Sequence, residues 1–269
     1  MTDFGVQRII VACDAVTENR SGIETAAKLA ALWNALLHAV FIQDESLLHL
    51  AAFPFIHQIG TAGVEELDES SIQRYFETDT MRARATVKAA AQRHAVSSSF
   101  SVVRGQPTLA ALSVGDHDML VMAATSRPFA GRFRLASRWL VAALEVQYSV
   151  LLLRNHHDWS DGVVCIIQSN APSMRRSLTA AAELSAASGR RLFVRIVDNA
   201  ASVSEVLSHL DDVWPDRNRK PAIESVSRDA ALDEGENSLL VVDAAPAVSS
   251  AASLKRLIEN SQADILFVR

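Results

Sequence analysis

The sequence predicts an α/β fold made of two tandem units, each with a five-stranded, mainly parallel sheet and flanking helices. The first observation is that short apolar runs of strand length alternate with longer segments of helical periodicity. The second is that this alternation restarts after a polar segment at residues 155–161. The third is that both halves end on corresponding apolar runs, Leu151–Arg154 and Leu266–Arg269. Self-similarity of this kind is the signature of a repeated unit.

These observations place the domain boundaries. Residues 1–154 form the predicted first domain, which we call the first repeat. Residues 155–161 form a polar linker, and residues 162–269 form a shorter second domain, the second repeat.

Within the first repeat, strand and helix signals alternate. Strands are predicted at Val6–Cys13, His38–Ile42, Ser99–Arg104, Met119–Ala123 and Val150–Leu153. Helices are predicted at Ile23–Leu37, Glu69–His94, Thr108–Val114 and around Leu135–Leu144. The last strand–loop–helix–strand unit predicts a right-handed crossover between parallel strands.

The second repeat follows the same order. Strands are predicted at Gly162–Ile167, Arg191–Val197, Ala222–Ser227, Ser238–Asp243 and Asp264–Arg269. Helices are predicted at Ser173–Ser188, Val203–Val213 and Leu254–Asn260.

Composition excludes several classes of protein. The chain has 269 residues, of which 49% are hydrophobic and 21% charged, as expected of a globular protein. A net charge of −5 argues against a general nucleic-acid binder. No apolar stretch reaches the roughly 20 residues that span a bilayer, so no membrane association is expected. Two isolated cysteines, Cys13 and Cys165, favour neither disulfides nor a metal site and predict a reducing, cytoplasmic location.

The loop after the strand at Met119–Ala123 is the first candidate for function, because ligands of open α/β sheets bind beyond the carboxyl ends of strands. Around it lie four arginines, Arg127, Arg132, Arg134 and Arg138. They fit either the capture of an anion near a helix N-terminus or a solvated surface with acidic neighbours.

Several residues together resemble the universal stress protein family. An acidic residue, Asp14, follows the first strand, and Gly105-Gln106-Pro107 forms a turn typical of the family. Nucleotide-binding members carry a glycine, two residues, a glycine, nine residues and then Gly-Ser or Gly-Thr. The same spacing here joins Ala123, Ser126 and the pair Ala136-Ser137. The chain is therefore similar to a tandem universal stress protein with degenerate nucleotide-binding motifs.

The resemblance implies Rossmann-like domains, similar to those of the adenine nucleotide alpha hydrolases, that associate through their last strands. Leu151 and Leu153 should then lie near Leu266 and Val268, giving a pseudo-dimer within one chain. An exposed apolar edge strand would otherwise promote aggregation.

The resemblance also implies a vestigial nucleotide site in the first repeat. Its residues are Asp14, Val40, Ala123, Ser126, Arg127, Ala136 and Ser137. Glycine in such a loop permits positive φ and lets backbone N–H groups approach phosphate, whereas alanine and serine add a Cβ atom. We therefore expect no resident cofactor and weak or absent ATP binding. The alternative is a genuine ATP- or AMP-binding protein that uses the first repeat alone.

The second repeat departs further from the family pattern. Gln168 stands where Asp14 does, and Asp243 and Pro246 occupy the two glycine positions. No nucleotide is expected in this half.

No catalytic motif is evident in the sequence, so the prediction is a binding or regulatory protein rather than an enzyme. Its protein partner is not specified by the sequence. The connection Asp44–Leu67 is unusually apolar and contains Leu48, Phe53, Phe55 and Ile56. It is expected to cover the first-repeat pocket or to form a homodimer contact.

Overall fold

The computed structural model describes residues 5–13, 16–43, 57–60, 63–66, 69–105, 112–123, 148–154, 159–168, 172–198, 200–214, 221–227, 237–244 and 261–269. The strands are β1 (Arg8–Cys13), β2 (Leu36–Gln43), β3 (His57–Gly60), β4 (Gly63–Glu66), β5 (Ser98–Arg104), β6 (Asp118–Ala123), β7 (Ser149–Leu153), β8 (Gly162–Ile167), β9 (Leu192–Val197), β10 (Ala222–Val226), β11 (Ser238–Asp243) and β12 (Asp264–Val268). The helices are α1 (Val16–Trp33), α2 (Glu69–Arg93), α3 (Pro172–Ser188) and α4 (Val203–Val213).

The chain divides into two compact units. The smaller unit is Arg8–Ser113, and the larger unit comprises Met1–Gln7 and Val114–Arg269. This division does not coincide with the sequence repeat, because β7 of the first repeat pairs with β12 of the second within the larger unit. The repeat boundaries at residues 154 and 162 remain a prediction.

In the smaller unit, strands β1, β2 and β5 lie side by side in parallel. Helices α1 and α2 pack against each other and against these strands. The apolar faces of both helices supply the core, with Ile23, Phe76 and Val87 buried.

The larger unit contains a seven-stranded sheet in the order β10-β9-β8-β11-β12-β7-β6. Every neighbouring pair is parallel except β12–β7, which is antiparallel. All residues of β7, β8, β11 and β12 are buried, as expected of central strands that are covered on both faces. Helix α3 is rich in alanine, which lets it pack closely on β8, β9, β11 and β12.

The predicted fold class is confirmed: apart from β3 and β4, which pair with each other, each repeat contributes five strands, and both sets form mainly parallel pairs with flanking helices. The predicted association of the last strands is also found, since Leu151 pairs with Leu266 and Leu152 with Ile265. Strands of the two repeats therefore share one sheet in the larger unit and do not form separate sheets.

One local prediction needs correction. Helix α1 begins at Val16, not at Ile23, because its first turns include polar residues such as the exposed Arg20, which the apolar pattern does not mark. The connection Asp44–Leu67 also contains two antiparallel strands, β3 and β4, in which Gly60 pairs with Gly63.

Other predictions lie outside the described residues. These are the apolar residues Leu48, Phe53, Phe55 and Ile56, and the helices at Leu135–Leu144 and Leu254–Asn260. Of the helix predicted at Thr108–Val114, the structure describes only the last residues.

The start of β8 requires glycine. Gly162 has φ +125°, and a Cβ atom there would lie 2.8 Å from the carbonyl oxygen of Arg191 and 3.0 Å from the ring of Phe193. The second repeat therefore begins at a position where any side chain would be strained and would clash with β9.

Candidate functional site

Two of the predicted nucleotide-site residues lie in the described part of the chain. Val40 is 1% exposed in β2, where it pairs with Ala12 and Ser101. Ala123 is the last residue of β6 and pairs with Leu153. The other five, Asp14, Ser126, Arg127, Ala136 and Ser137, lie outside the described residues, so the nucleotide site stays a prediction.

Strand register identifies the second-repeat counterpart of Ala123. Ala123 pairs with Leu153 in β7, and Asp243 pairs with Val268 in β12. Since Leu153 and Val268 are corresponding residues of the repeat, Asp243 occupies the position of Ala123. The sequence alignment of Asp243 with the first glycine of the family motif therefore agrees with the strand register.

The counterpart of Val40 follows in the same way. Val40 pairs with Ala12, two residues before Asp14, and Arg195 pairs with Ile166, two residues before Gln168. Arg195 therefore takes the place of Val40. Its Nε lies 2.7 Å from Oε1 of Glu224, and the two side chains form an ion pair between β9 and β10.

The second repeat contains the topological switch point of a doubly wound sheet. Strand order reverses between the neighbours β8 and β11, and the crevice beyond their carboxyl ends is where such sheets bind ligands. This crevice is flanked by Gln168 and by Asp243, which is only 2% exposed. Burial raises the pKa of the Cys165 thiol, and the negative charge of Asp243 raises it further. An additional anion at this crevice would be repelled by the buried carboxylate.

The junction of the two repeats has approximate two-fold symmetry about the Leu151–Leu266 pair. At one end, the backbone N–H of Arg154 donates to Oδ1 of Asp264 over 2.6 Å. At the other end, the backbone N–H of Arg269 donates to Oγ of Ser149 over 3.3 Å. The two hydrogen bonds are equivalent, because each joins the residue after one strand to the first side chain of the other.

Asp264 also fixes the end of the predicted linker. The indole Nε1–H of Trp159 donates to Oδ2 of Asp264 over 2.9 Å, and Trp159 has a left-handed backbone with φ 53°. Burial lowers the pKa of the Arg154 guanidinium, and the charge of Asp264 opposes that shift. Asp264, itself 2% exposed, thus connects the ends of β7, the linker and β12.

A polar groove between α3 and α4 was not predicted from the sequence. Its volume is about 360 Å³, and its lining residues are Met174, Arg175, Ser204, Glu205, Ser208, His209 and Asp212. Nε2 of His209 lies 3.0 Å from the carbonyl oxygen of Arg175, which joins the two helices. In sequence these residues look like the solvated faces of two amphipathic helices, so no spacing signal marked them.

The described residues limit the chemistry that is available. They contain no cluster of three or more His, Cys, Asp or Glu side chains that could hold a metal ion. None of the helices in the described ranges combines the length and apolar character needed to cross a bilayer.

This architecture is that of the universal stress proteins. A universal stress protein from Archaeoglobus fulgidus DSM 4304 matches 99% of the chain and 97% of its own length, with TM-score 0.64 and 9% sequence identity. A Pseudomonas aeruginosa UCBPP-PA14 protein assigned to the universal stress proteins matches 98% of the chain and 94% of its own length, with TM-score 0.55 and 10% identity.

A third structure with the same fold comes from a different functional setting. The cytoplasmic domain of a prokaryotic cation chloride cotransporter matches 97% of the chain and 95% of its own length, with TM-score 0.56 and 13% identity. No protein-family model matches the sequence, and no curated protein matches it either. The resemblance suggested by the sequence motifs is therefore confirmed at the level of the fold.

Proposed function

We propose that the chain is a regulatory or binding protein of the universal stress protein type, in which ATP binding is weak or lost. The observation that carries the proposal is the register equivalence of Ala123 and Asp243. Both stand where nucleotide-binding members have the glycine that opens the phosphate loop. In neither repeat does this position keep the backbone freedom that glycine supplies.

The obstacle to phosphate binding differs between the two repeats. In the second, the buried carboxylate of Asp243 opposes the negative charge of phosphate at the switch point. In the first, the proposed obstruction is steric, from the Cβ atoms of Ser126 and Ala136. Positive φ at a non-glycine residue costs roughly 1 kcal/mol or more, which disfavours a loop that surrounds phosphate.

The biological role follows as part of the same proposal. The protein acts in a stress response through a protein partner, and the buried cysteines Cys13 and Cys165, neither of which forms a disulfide, fit a cytoplasmic location. The fold's use in the cytoplasmic domain of a cotransporter fits a regulatory module that binds other proteins. The connection Asp44–Leu67, which has no counterpart in the second repeat, is the proposed cover or homodimer contact.

The test compares the native protein with a variant that restores glycine at Ala123, Ser126 and Ala136. We expect calorimetry to detect little ATP or AMP binding to the native chain. The variant should bind ATP at least about tenfold more tightly, a gain of roughly 1.4 kcal/mol.

Two results would contradict the proposal. Micromolar ATP affinity of the unmodified protein would favour the alternative, a genuine nucleotide-binding protein. That alternative is supported by the retained motif spacing and by Arg127 and Ser137. An unchanged affinity in the triple-glycine variant would show that the Cβ atoms are not the obstruction.

A further inference from the structure

The groove between α3 and α4 carries an inference that goes beyond the proposed function and does not depend on it. We propose that this groove binds a small zwitterion, an α-amino acid or a compound with the same adjacent carboxylate and ammonium groups. Some charged groups in the groove are already engaged by the protein, and others remain available to a ligand.

Arg175 supplies the site for a carboxylate. Its guanidinium forms no ion pair or hydrogen bond with any residue that the structure describes, and Arg175 lines the groove. A guanidinium binds a carboxylate through two parallel hydrogen bonds. The hydroxyl group of Ser208 on α4 is a further donor along the same groove, whereas the Ser204 hydroxyl is already engaged with Oγ of Ser202 at 3.0 Å.

His209 is held in one tautomer by its contacts. Its Nε2 faces the carbonyl oxygen of Arg175 at 3.0 Å, and a carbonyl can only accept, so Nε2 must carry a proton. Oγ1 of Thr179 donates to the same carbonyl over 2.9 Å. In the neutral imidazole, Nδ1 is then an acceptor, and within the described residues it has no partner. Nδ1 can therefore accept a hydrogen bond from an ammonium group.

Asp212 supplies the matching negative charge. Its carboxylate has no ion-pair or hydrogen-bond partner in the described ranges of the chain and lies one turn beyond Ser208 on α4. Glu205 is committed elsewhere, because its Oε2 accepts from the backbone N–H and the hydroxyl of Ser202. These bonds lower the pKa of Glu205, so it remains a fixed negative charge at the groove.

The charge balance selects the ligand class. One guanidinium and two carboxylates line the groove, so it disfavours phosphate or another dianion. A metal ion would need three or four ligands, and the described residues hold no such cluster. A volume of about 360 Å³ with Met174 on its lining leaves room for a compact molecule with an apolar side chain.

The experiment is a titration of the full-length chain with L-methionine, followed through the ¹⁵N signals of the histidine side chains and the amide signals of α4. Saturable shifts at His209 and along α4 are expected below about 10 mM ligand. N-acetylmethionine and methionine methyl ester each lack one charged group and should bind at least about tenfold more weakly.

Matched variants separate a specific site from general surface charge. Arg175→Met and Asp212→Asn should each weaken binding at least about tenfold. Arg176→Met and Asp211→Asn change exposed neighbours that do not line the groove, and they should leave binding unchanged. The proposal is overturned if L-methionine gives no saturable shift, or if the control variants weaken binding as much as the groove variants.

Discussion

The strand that follows the first helix of each repeat carries different chemistry at equivalent positions. In the first repeat, Val40 is fully buried in β2. In the second, Arg195 takes that place and forms a 2.7 Å ion pair with Glu224. The parallel strand scaffold therefore accommodates an apolar residue or a charged pair at the same register, provided that the neighbouring strand supplies the complement.

The adjacent positions show the same divergence. His38 in β2 lies within hydrogen-bonding distance of two hydroxyl groups of β5, with Nδ1 2.7 Å from Oγ of Ser99 and Nε2 3.3 Å from Oγ of Ser101. Its counterpart in β9 is Phe193, on whose ring the guanidinium of Arg191 stacks at 5.1 Å. Side chains that contact each other at these strand positions thus differ together between the two repeats, while the backbone pairing is retained.

The largest effect on stability should come from exchanging the residue types at the equivalent positions Val40 and Arg195. Val40→Arg buries a charge without a partner and should destabilise the protein by about 4 kcal/mol or more. Arg195→Val removes an ion pair whose acidic partner is half exposed, so the loss should be below about 1 kcal/mol. Chemical denaturation of the two variants measures the difference, and equal losses would mean that the two environments are not distinct.

A second comparison concerns the two ends of the repeat junction. Asp264→Ala removes the acceptor for both the Arg154 N–H and the Trp159 indole and leaves the half-buried Arg154 charge without its counterion. We expect a loss of about 2–4 kcal/mol in the free energy of unfolding. Ser149→Ala removes the single 3.3 Å bond at the symmetric position and should cost about 1 kcal/mol. Similar losses for both variants would refute a special role for Asp264.

The smallest effect on stability is expected from variants at the start of the helices that follow β2 and β9. Helix α4 has 11 residues and starts with a capping box between Ser202 and Glu205, whereas α2 has 25 residues. Ser202→Ala should cost about 1 kcal/mol and reduce hydrogen-exchange protection in α4. Glu69→Gln in the first turn of α2 should change stability by less than about 0.5 kcal/mol, because only a weak helix-dipole interaction is lost.

The capping box also gives the sign of a pH effect. Its bonds lower the pKa of Glu205 in the folded state, so their contribution is present above the pKa of the unfolded chain. That contribution is lost as pH falls through the lower pKa of the folded state. The difference between the native protein and Ser202→Ala should therefore narrow in acid, and a constant difference would argue against the box.

The sequence predicted the features that depend on buried strands. Apolar runs specified the strands, and the matching endings at Leu151–Arg154 and Leu266–Arg269 predicted which residues would meet at the junction. Asp243 could be aligned with Ala123 because both end such a run. These predictions succeeded because strand burial imposes a strong, local apolar signal.

The groove and the junction contacts could not be predicted in that way. Arg175 and His209 come together only because α3 and α4 pack side by side, and an exposed polar helix face gives no sign of its neighbour. Likewise, the sequence pattern places Trp159 in a polar linker, and only the fold brings its indole to Asp264. The nucleotide-site residues Asp14, Ser126, Arg127, Ala136 and Ser137 lie outside the described residues and remain predictions from sequence.

The antiparallel pairing of β7 with β12 has a consequence for how the two repeats can evolve. In a symmetric dimer of identical chains, one mutation alters both sides of the contact at once. Here the two strands are encoded separately, so a change at one end leaves the other end as it was. Asp264 and Ser149 illustrate this independence. The same position carries a carboxylate that accepts hydrogen bonds from two groups on one side and a single hydroxyl on the other. Because both strands belong to one chain, their association is independent of protein concentration. Each repeat can therefore diverge in sequence while the two repeats stay associated.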